Sequence, residues 1–445
     1  MADATREQWS SRTGFIMDAV GSAVGLGNMW RFSYLTAEHG GAAFVVLYLA
    51  ITLVVGLPVL LAELVIGRGS QRSPIRALAH FGGEPWKPLG FLFVAAGFTI
   101  LAYYGVIAGW AVRYAGTALF VGFDSGIADR FGDISQGADA FGFHLLFMAG
   151  TIAIVAGGVK GGIERTGLLL MPALFIIVCG LALYAATLEN GADGYRYYLE
   201  TDFREILSLE VITVASGQAF FSLSLGMGCI LTFGSYLRRD NHLPNESLII
   251  AGADVGIAFL AGLVVFPMIF ALGLADKVGN STVGALFITL PQAFAGMGVV
   301  GRAVGFLFFA TLVVGAITSA ISLLEVVVSA AIDGLGWTRR NAALIMGGTI
   351  TLLGIPAAWS TEVLGVMDEV ANNLLLLTGG LALSIFVGWV MDDPLGEARI
   401  GAEEVGWFSA WRLLLRIVVP IGLIVVLYDA VPKTLGSVVG LFTGG

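Results

Sequence analysis

The chain has 445 residues, 57% hydrophobic and only 12% charged, with a mean hydropathy of +0.88 and a net charge of −9. A soluble domain carries roughly 25% charged residues, so this composition excludes an ordinary soluble enzyme and describes an all-α polytopic membrane protein. The acidic balance weighs against a nucleic-acid partner.

Met1 to Arg12 is polar, and the run after it is too rich in polar and small residues for an export signal, so no cleavable signal peptide is expected. Hydropathy predicts eleven transmembrane helices, at 13–37, 41–68, 88–121, 143–160, 166–187, 207–238, 243–273, 300–334, 341–358, 362–391 and 408–431. Several exceed the roughly 20 residues of a straight crossing, which predicts tilt, breaks or projection. The Gly-rich stretch 280–298 is too short to cross and reads as an external loop that folds back. Phe306–Phe309 read as packing residues, and Cys179 and Cys229 as small buried hydrophobes without a disulfide.

Spans 1 and 6 share one interruption, Gly25-Leu26-Gly27 in the first and Gly226-Met227-Gly228 in the second. Each glycine costs about 1 kcal/mol in a helix interior relative to alanine, so two together invite unwinding, although glycines also serve close helix packing. Unwound backbone at membrane depth is tolerated only where it is buried in protein or lines a cavity. Paired interrupted spans in two halves point to a transporter's binding site. The offset of five spans is odd, so the second copy enters from the opposite face. This gives an inverted 5+5 repeat, 13–187 and 207–393, after an N-terminal segment 1–12 and before an appended eleventh helix and tail, 394–445.

Lysine and arginine set the orientation. With the N-terminus inside, 15 fall on the inner side and 6 on the outer, the latter Arg130, Arg196, Arg204, Lys277, Arg302 and Lys433. The N-terminus is therefore expected inside and the C-terminus outside.

The stretch Arg6-Glu7-Gln8-Trp9, then Gly21-Ser22-Ala23-Val24-Gly25-Leu26-Gly27-Asn28-Met29-Trp30-Arg31-Phe32, resembles the signature of the neurotransmitter:sodium symporter family. Gly217-Gln218-Ala219-Phe220-Phe221-Ser222-Leu223-Ser224-Leu225-Gly226 is similar to that family's span-6 motif. Eleven spans resemble the bacterial branch, with its leucine and multi-hydrophobic amino-acid transporters. The resemblance implies a sodium-coupled symporter working by alternating access, with spans 1, 2, 6 and 7 rocking against a scaffold that includes 3, 4, 8 and 9. It also implies a bacterial cytoplasmic membrane.

The half-helix after a break presents free N–H groups at the positive end of its dipole. Those of Leu26 and Gly27 are expected to bind an α-carboxylate. The resemblance adds the Tyr104 hydroxyl to that carboxylate. Carbonyls around Ala23, Phe221 and Ser224 suit an ammonium, and Ser22 and Ser222 complete the expected substrate residues of the two breaks. The family's monoamine carriers have an aspartate where this chain has Gly25, which favours an amino acid here. The side-chain pocket would be lined by Ile100, Tyr103, Phe221, Met227, Ser319 and Leu323, all uncharged, so a neutral hydrophobic or aromatic L-amino acid is expected.

By family position, a first sodium takes the Ala23 carbonyl, Asn28, Ser222, Asp254 and the substrate carboxylate. A second takes the carbonyls of Gly21, Val24 and Gly315 with the hydroxyls of Thr318 and Ser319. Hard cations favour such oxygens. Many relatives have asparagine at Asp254, and where animal members contact chloride with a serine this chain has Ala258. No chloride requirement is expected, because Asp254 supplies the negative charge. The resemblance also gives an outer gate pair, Arg31 with Asp368, and an inner pair, Arg6 with Asp333, the latter surrounded by Trp9, Ser235 and Tyr236. Gly162 and Pro172 resemble a bacterial-branch motif at which span 5 unwinds. Asp18, where relatives are usually apolar, either lines an inner sodium exit, binds a proton or faces vestibule water. Glu63 and Glu325 are expected to bond to groups within the bundle.

Two rival readings share this fold. One is a sodium-dependent amino-acid receptor or scaffold without flux; the other is a sodium-independent exchanger, which needs neither the Thr318-Ser319 pair nor Asp254. An enzyme is not expected, since no nucleophile–base cluster is visible and His39, His80, His144 and His242 are scattered. The sequence leaves the oligomeric state open; the partners it implies are the amino acid and membrane lipid.

Overall fold

The computed structural model describes residues 6–124, 126–127, 129–200, 208–271, 273 and 285–443. Residues 1–5 of the N-terminal segment, Arg204, Lys277, the predicted start of span 6 at 207, 280–284 of the outer loop and the last two residues lie outside the described residues.

Among the described residues nine continuous helices are long and apolar enough to cross a membrane. They are span 2 (Ala42–Ser70), span 3 (Glu84–Phe120), span 4 (Gly137–Ala156), span 5 (Val159–Ala185), span 7 (Leu243–Ala271), span 8 (Gly298–Leu335), span 9 (Arg339–Trp359), span 10 (Thr361–Val390) and span 11 (Phe408–Thr443). The other two are broken. Span 1 is helical over Arg12–Ala23, extended at Val24, and resumes in a wide turn at Gly27–Arg31 and the helix Phe32–Glu38. Span 6 is helical over Leu209–Ser222 and again over Cys229–Gly234, with turns between. Both interruptions are fully buried, which spares lipid any contact with free backbone groups worth several kcal/mol each.

Spans 3 and 8 are the longest helices and pack against each other as a central column. Spans 1 and 6 lie against this column at their breaks. A Cβ on Gly315 of span 8 would sit 3.4 Å from the Gly25 Cα, so the two backbones touch there.

Several expectations shift. Span 11 runs to Thr443, well past 431, because the apolar run continues through Pro432. The described part of 280–298 is helical, over Ala285–Thr289 and Leu290–Gly296, and its Phe287 packs edge-on against Trp110 and Tyr114 at 5.7 and 5.4 Å. Phe308 and Phe309 join that aromatic layer. Cys179 is exposed rather than buried, on the outward face of span 5; Cys229 is buried, and both are free. Span 5 is wound through the Gly162 and Pro172 region, with a wide turn over Val159–Glu164 and Pro172 inside the helix that follows.

Candidate functional site

Where span 1 opens, its groups are taken up locally. The Gly25 N–H donates to the Asn28 Oδ1 at 3.0 Å, and the Leu26 N–H donates to the Tyr104 hydroxyl of span 3 at 3.3 Å. Tyr104 therefore stands where the expected carboxylate would meet the chain. Span 6 is closed differently. Its second half begins at a left-handed Gly228, and the Glu63 carboxylate of span 2 accepts from the Gly226 and Leu231 N–H groups at 2.9 and 3.1 Å. A carboxylate at a helix N-terminus answers both the free donors and the dipole.

Between the breaks lies a buried cavity lined by Ser22, Ala23, Gly25, Gly27, Ile100, Tyr104, Phe221, Ser222, Ser224, Met227, Ser319 and Leu323. Its free space is about 20 Å³, room for roughly one water, so an amino acid enters only if the lining moves apart. Twelve of the fourteen expected substrate residues meet here. Leu26 does not line the cavity, because its side chain is buried in the surrounding core and only its backbone faces the site. Tyr103 is buried beside it, its hydroxyl without a hydrogen-bond partner among the described residues.

Two of the expected first-sodium ligands, Asn28 and Ser222, converge on a third, the Asp254 carboxylate. Asp254 is fully buried and accepts from the Asn28 Nδ2 at 2.6 Å, the Ser222 hydroxyl at 2.7 Å and the Tyr48 hydroxyl at 3.0 Å. Tyr48 was not anticipated; nothing in its apolar helix sets it apart from other buried tyrosines. The second cluster also assembles. The Ser319 hydroxyl donates to the Gly21 and Ser22 carbonyls at 3.3 and 3.2 Å, and the Thr318 hydroxyl turns back to the Gly315 and Val314 carbonyls at 3.0 and 3.1 Å. A Cβ on Gly315 would lie 3.5 Å from the Val24 carbonyl oxygen. Ser224 bridges the two broken spans, donating to the Ser22 carbonyl at 2.7 Å. This cluster offers only neutral oxygens, whereas the first carries a formal carboxylate.

The two gates differ. Arg6 bonds both Asp333 oxygens at 3.2 and 3.0 Å, donates to the Ser235 hydroxyl at 3.0 and 2.8 Å, and lies 4.8 Å over the Tyr236 ring. The Trp9 indole N–H donates to the Phe233 carbonyl at 3.0 Å. Glu325 accepts from the Tyr236 hydroxyl and from Arg339 at 2.7 and 3.0 Å. The pair nearer the N-terminus is thus closed. At the other gate no ion pair joins Arg31 to Asp368. Arg31 lies 5.6 Å over the Phe221 ring with one buried guanidinium nitrogen unpartnered among the described residues, and Asp368 accepts from Asn372 of its own helix at 2.8 Å. The expected outer pair, Arg31 with Asp368, is therefore not joined in this structure.

Comparison with known proteins agrees with this geometry. The family model described as the sodium:neurotransmitter symporter family matches residues 6–124 and 131–435. A sodium-dependent transporter of Bacillus subtilis, YhdH, is 33% identical, the match covering 97% of this chain and 99% of that protein. A sodium-dependent transporter of Haemophilus influenzae is 32% identical over 95% and 97% of the two chains. Among solved structures, MhsT in complex with L-phenylalanine superposes with a TM-score of 0.88 at 40% identity, covering 96% of this chain and all of that one. The chain belongs to the sodium:neurotransmitter symporter family and is a sodium-dependent integral membrane transporter, not an enzyme.

Proposed function

We propose that the protein imports a neutral, hydrophobic or aromatic L-amino acid together with sodium, by alternating access. The observation that carries this reading is the buried Asp254–Asn28–Ser222 cluster set directly beside an uncharged cavity between two broken helices. The substrate carboxylate would take the Leu26 and Gly27 N–H groups and the Tyr104 hydroxyl. It would complete the first sodium shell with the Ala23 carbonyl, Asn28, Ser222 and Asp254, so the ion and the amino acid bind as one unit. The similar MhsT holds L-phenylalanine, which supports an apolar side-chain pocket formed by Ile100, Phe221, Met227, Ser319 and Leu323.

A second sodium would use the carbonyls of Gly21, Val24 and Gly315 and the hydroxyls of Thr318 and Ser319. Two sodium ions with a zwitterion move two charges, which at roughly 100 mV supplies about 4.6 kcal/mol, near three decades of accumulation. Asp254 stands in for chloride, so uptake should persist in gluconate. Spans 1, 2, 6 and 7, drawn from both the 13–187 and the 207–393 repeats, rock against a scaffold that includes spans 3, 4, 8 and 9, with the N-terminus inside a bacterial plasma membrane and the C-terminus outside. Arg31 and Asp368 close the outer gate when Arg6 and Asp333 separate.

The test is uptake of labelled phenylalanine, tryptophan and leucine into proteoliposomes, with external sodium against potassium and chloride against gluconate. Sodium-driven accumulation that survives gluconate and is lost in Asp254→Ala is the expected result. Sodium-dependent binding without accumulation would favour a receptor. Equal inhibition by lysine or glutamate would remove the assigned substrate class.

A further inference from the structure

Asp18 lies in the first half of span 1, three residues before Gly21, so on an α-helix it sits about 4.5 Å further along the axis toward the N-terminus. It is only 5% exposed, and its Oδ2 has no hydrogen-bond partner among the described residues. A buried carboxylate at membrane depth is costly without a cation. The packing makes a place for it nonetheless. Span 5 presents Gly167, where a Cβ would fall 2.2 Å from the Asp18 Oδ1, so only glycine admits the carboxylate in this position.

Nearby charges are already engaged. On span 5, Glu164 accepts from the backbone N–H groups and hydroxyls of Ser10 and Ser11. On span 7, Glu246 is held by Arg12 at 2.7 Å through Oε1, its Oε2 being unpartnered among the described residues, and on span 8 Glu325 is held by Arg339 and Tyr236. Arg6 is held by Asp333. Among the described residues no basic side chain makes an ion pair with Asp18.

We propose that Asp18 is a small-cation station on the inner release route, taking a sodium ion as it leaves the neutral second cluster, or a proton when none is present. The proposal rests on the symport reading above. The second cluster offers only carbonyl and hydroxyl oxygens, so a formal negative charge about one turn closer to the inner gate draws the ion inward as span 1 parts from span 5. The carboxylate is shielded by Gly167 while the gate is shut and gains water when the two helices separate. No covalent step is involved.

The test uses full-length transporter in proteoliposomes, with phenylalanine uptake driven by external sodium while luminal sodium is varied at about pH 6 and about pH 8. In Asp18→Asn the luminal sodium needed for half-inhibition should rise about five- to tenfold, while the external sodium dependence stays unchanged. Gly167→Ala, which displaces the carboxylate, should move the luminal constant the same way and serves if Asp18→Asn fails to reach the membrane. A wild-type luminal constant that rises at the lower pH, with the pH effect absent in Asp18→Asn, identifies the proton as a competing occupant; a constant indifferent to pH but altered in the variants identifies sodium alone. Unchanged luminal constants in both variants overturn the station. Absence of sodium-driven uptake in the wild type overturns the symport reading, and the station with it.

Discussion

In span 6, Ser224, Gly226 and Gly228 take φ values of 55°, 72° and 75°, whereas neither Gly25 nor Gly27 in span 1 has a positive φ. The two interruptions share a sequence signature and differ in what glycine does. In span 6 it lets the chain turn through left-handed backbone, and at Gly226 it also allows approach to the Leu376 carbonyl, 2.3 Å from where a Cβ would be. In span 1 it supplies clearance. A Cβ on Gly25 would come within 2.4 Å of the Ser319 hydroxyl and 2.9 Å of the Tyr104 hydroxyl; one on Gly27 would come within 2.9 Å of the Phe221 ring. The break in span 6 is therefore a folding device capped from span 2, and the glycines at the break in span 1 make room for the Ser319, Tyr104 and Phe221 side chains that surround the candidate site.

Substitutions separate the two roles. Gly226→Ala combines a strained φ, worth about 1–3 kcal/mol, with collision against fixed backbone. It should abolish recovery of monodisperse protein in detergent, and a well-folded variant would end the turning role assigned to this glycine. Glu63→Ala leaves the Gly226 and Leu231 N–H groups unpaired. A loss of about 1–3 kcal/mol should appear as a lower melting temperature in sodium-containing detergent, and an unchanged Tm would show that the cap is dispensable.

Gly25→Ala meets the mobile ends of Ser319 and Tyr104 rather than backbone, so the protein should fold normally. Equilibrium binding of labelled phenylalanine should weaken about tenfold or more, because about 1.4 kcal/mol corresponds to that factor. Loss of folding instead would make span 1 resemble span 6. The smallest effect belongs to Ser224→Gly. It relieves a non-glycine residue at φ 55° but removes the hydroxyl that bonds the Ser22 carbonyl at 2.7 Å. These oppose each other at about 1 kcal/mol each, so Tm should hardly move, while the sodium concentration for half-maximal binding should rise modestly because the Ser22 backbone, between the proposed sodium carbonyls of Gly21 and Ala23, loses one of its two hydroxyl partners.

The gates extend the contrast. The pair Arg6–Asp333 is closed and partly shielded, at 14% and 18% exposure, while Arg31 and Asp368 stand apart. A partly exposed ion pair contributes on the order of 1 kcal/mol or less, small enough for the closed gate to reopen. The closed pair is joined by a network of Trp9, Ser235, Tyr236, Glu325 and Arg339, in which Arg6, Trp9, Tyr236 and Arg339 each donate to a group on another segment.

Apolar periodicity by itself determined the membrane class and the eleven spans, because roughly 20 consecutive apolar residues have no other stable place. Glycine pairs in otherwise apolar runs located both breaks, since little else tolerates them there. The signature stretches brought Asn28, Ser222, Asp254, Thr318 and Ser319 forward as a set by resemblance. Only the tertiary structure decided that Tyr48 completes the Asp254 cluster, that Leu26 offers its backbone but not its side chain, and that Tyr103 stands beside the cavity rather than in its wall. It alone parted Arg31 from Asp368 and wound span 5 through Gly162. Such features depend on which helices meet and in which conformational state. Local residue preference carries no record of contacts between residues hundreds of positions apart, such as the joined Arg6 and Asp333.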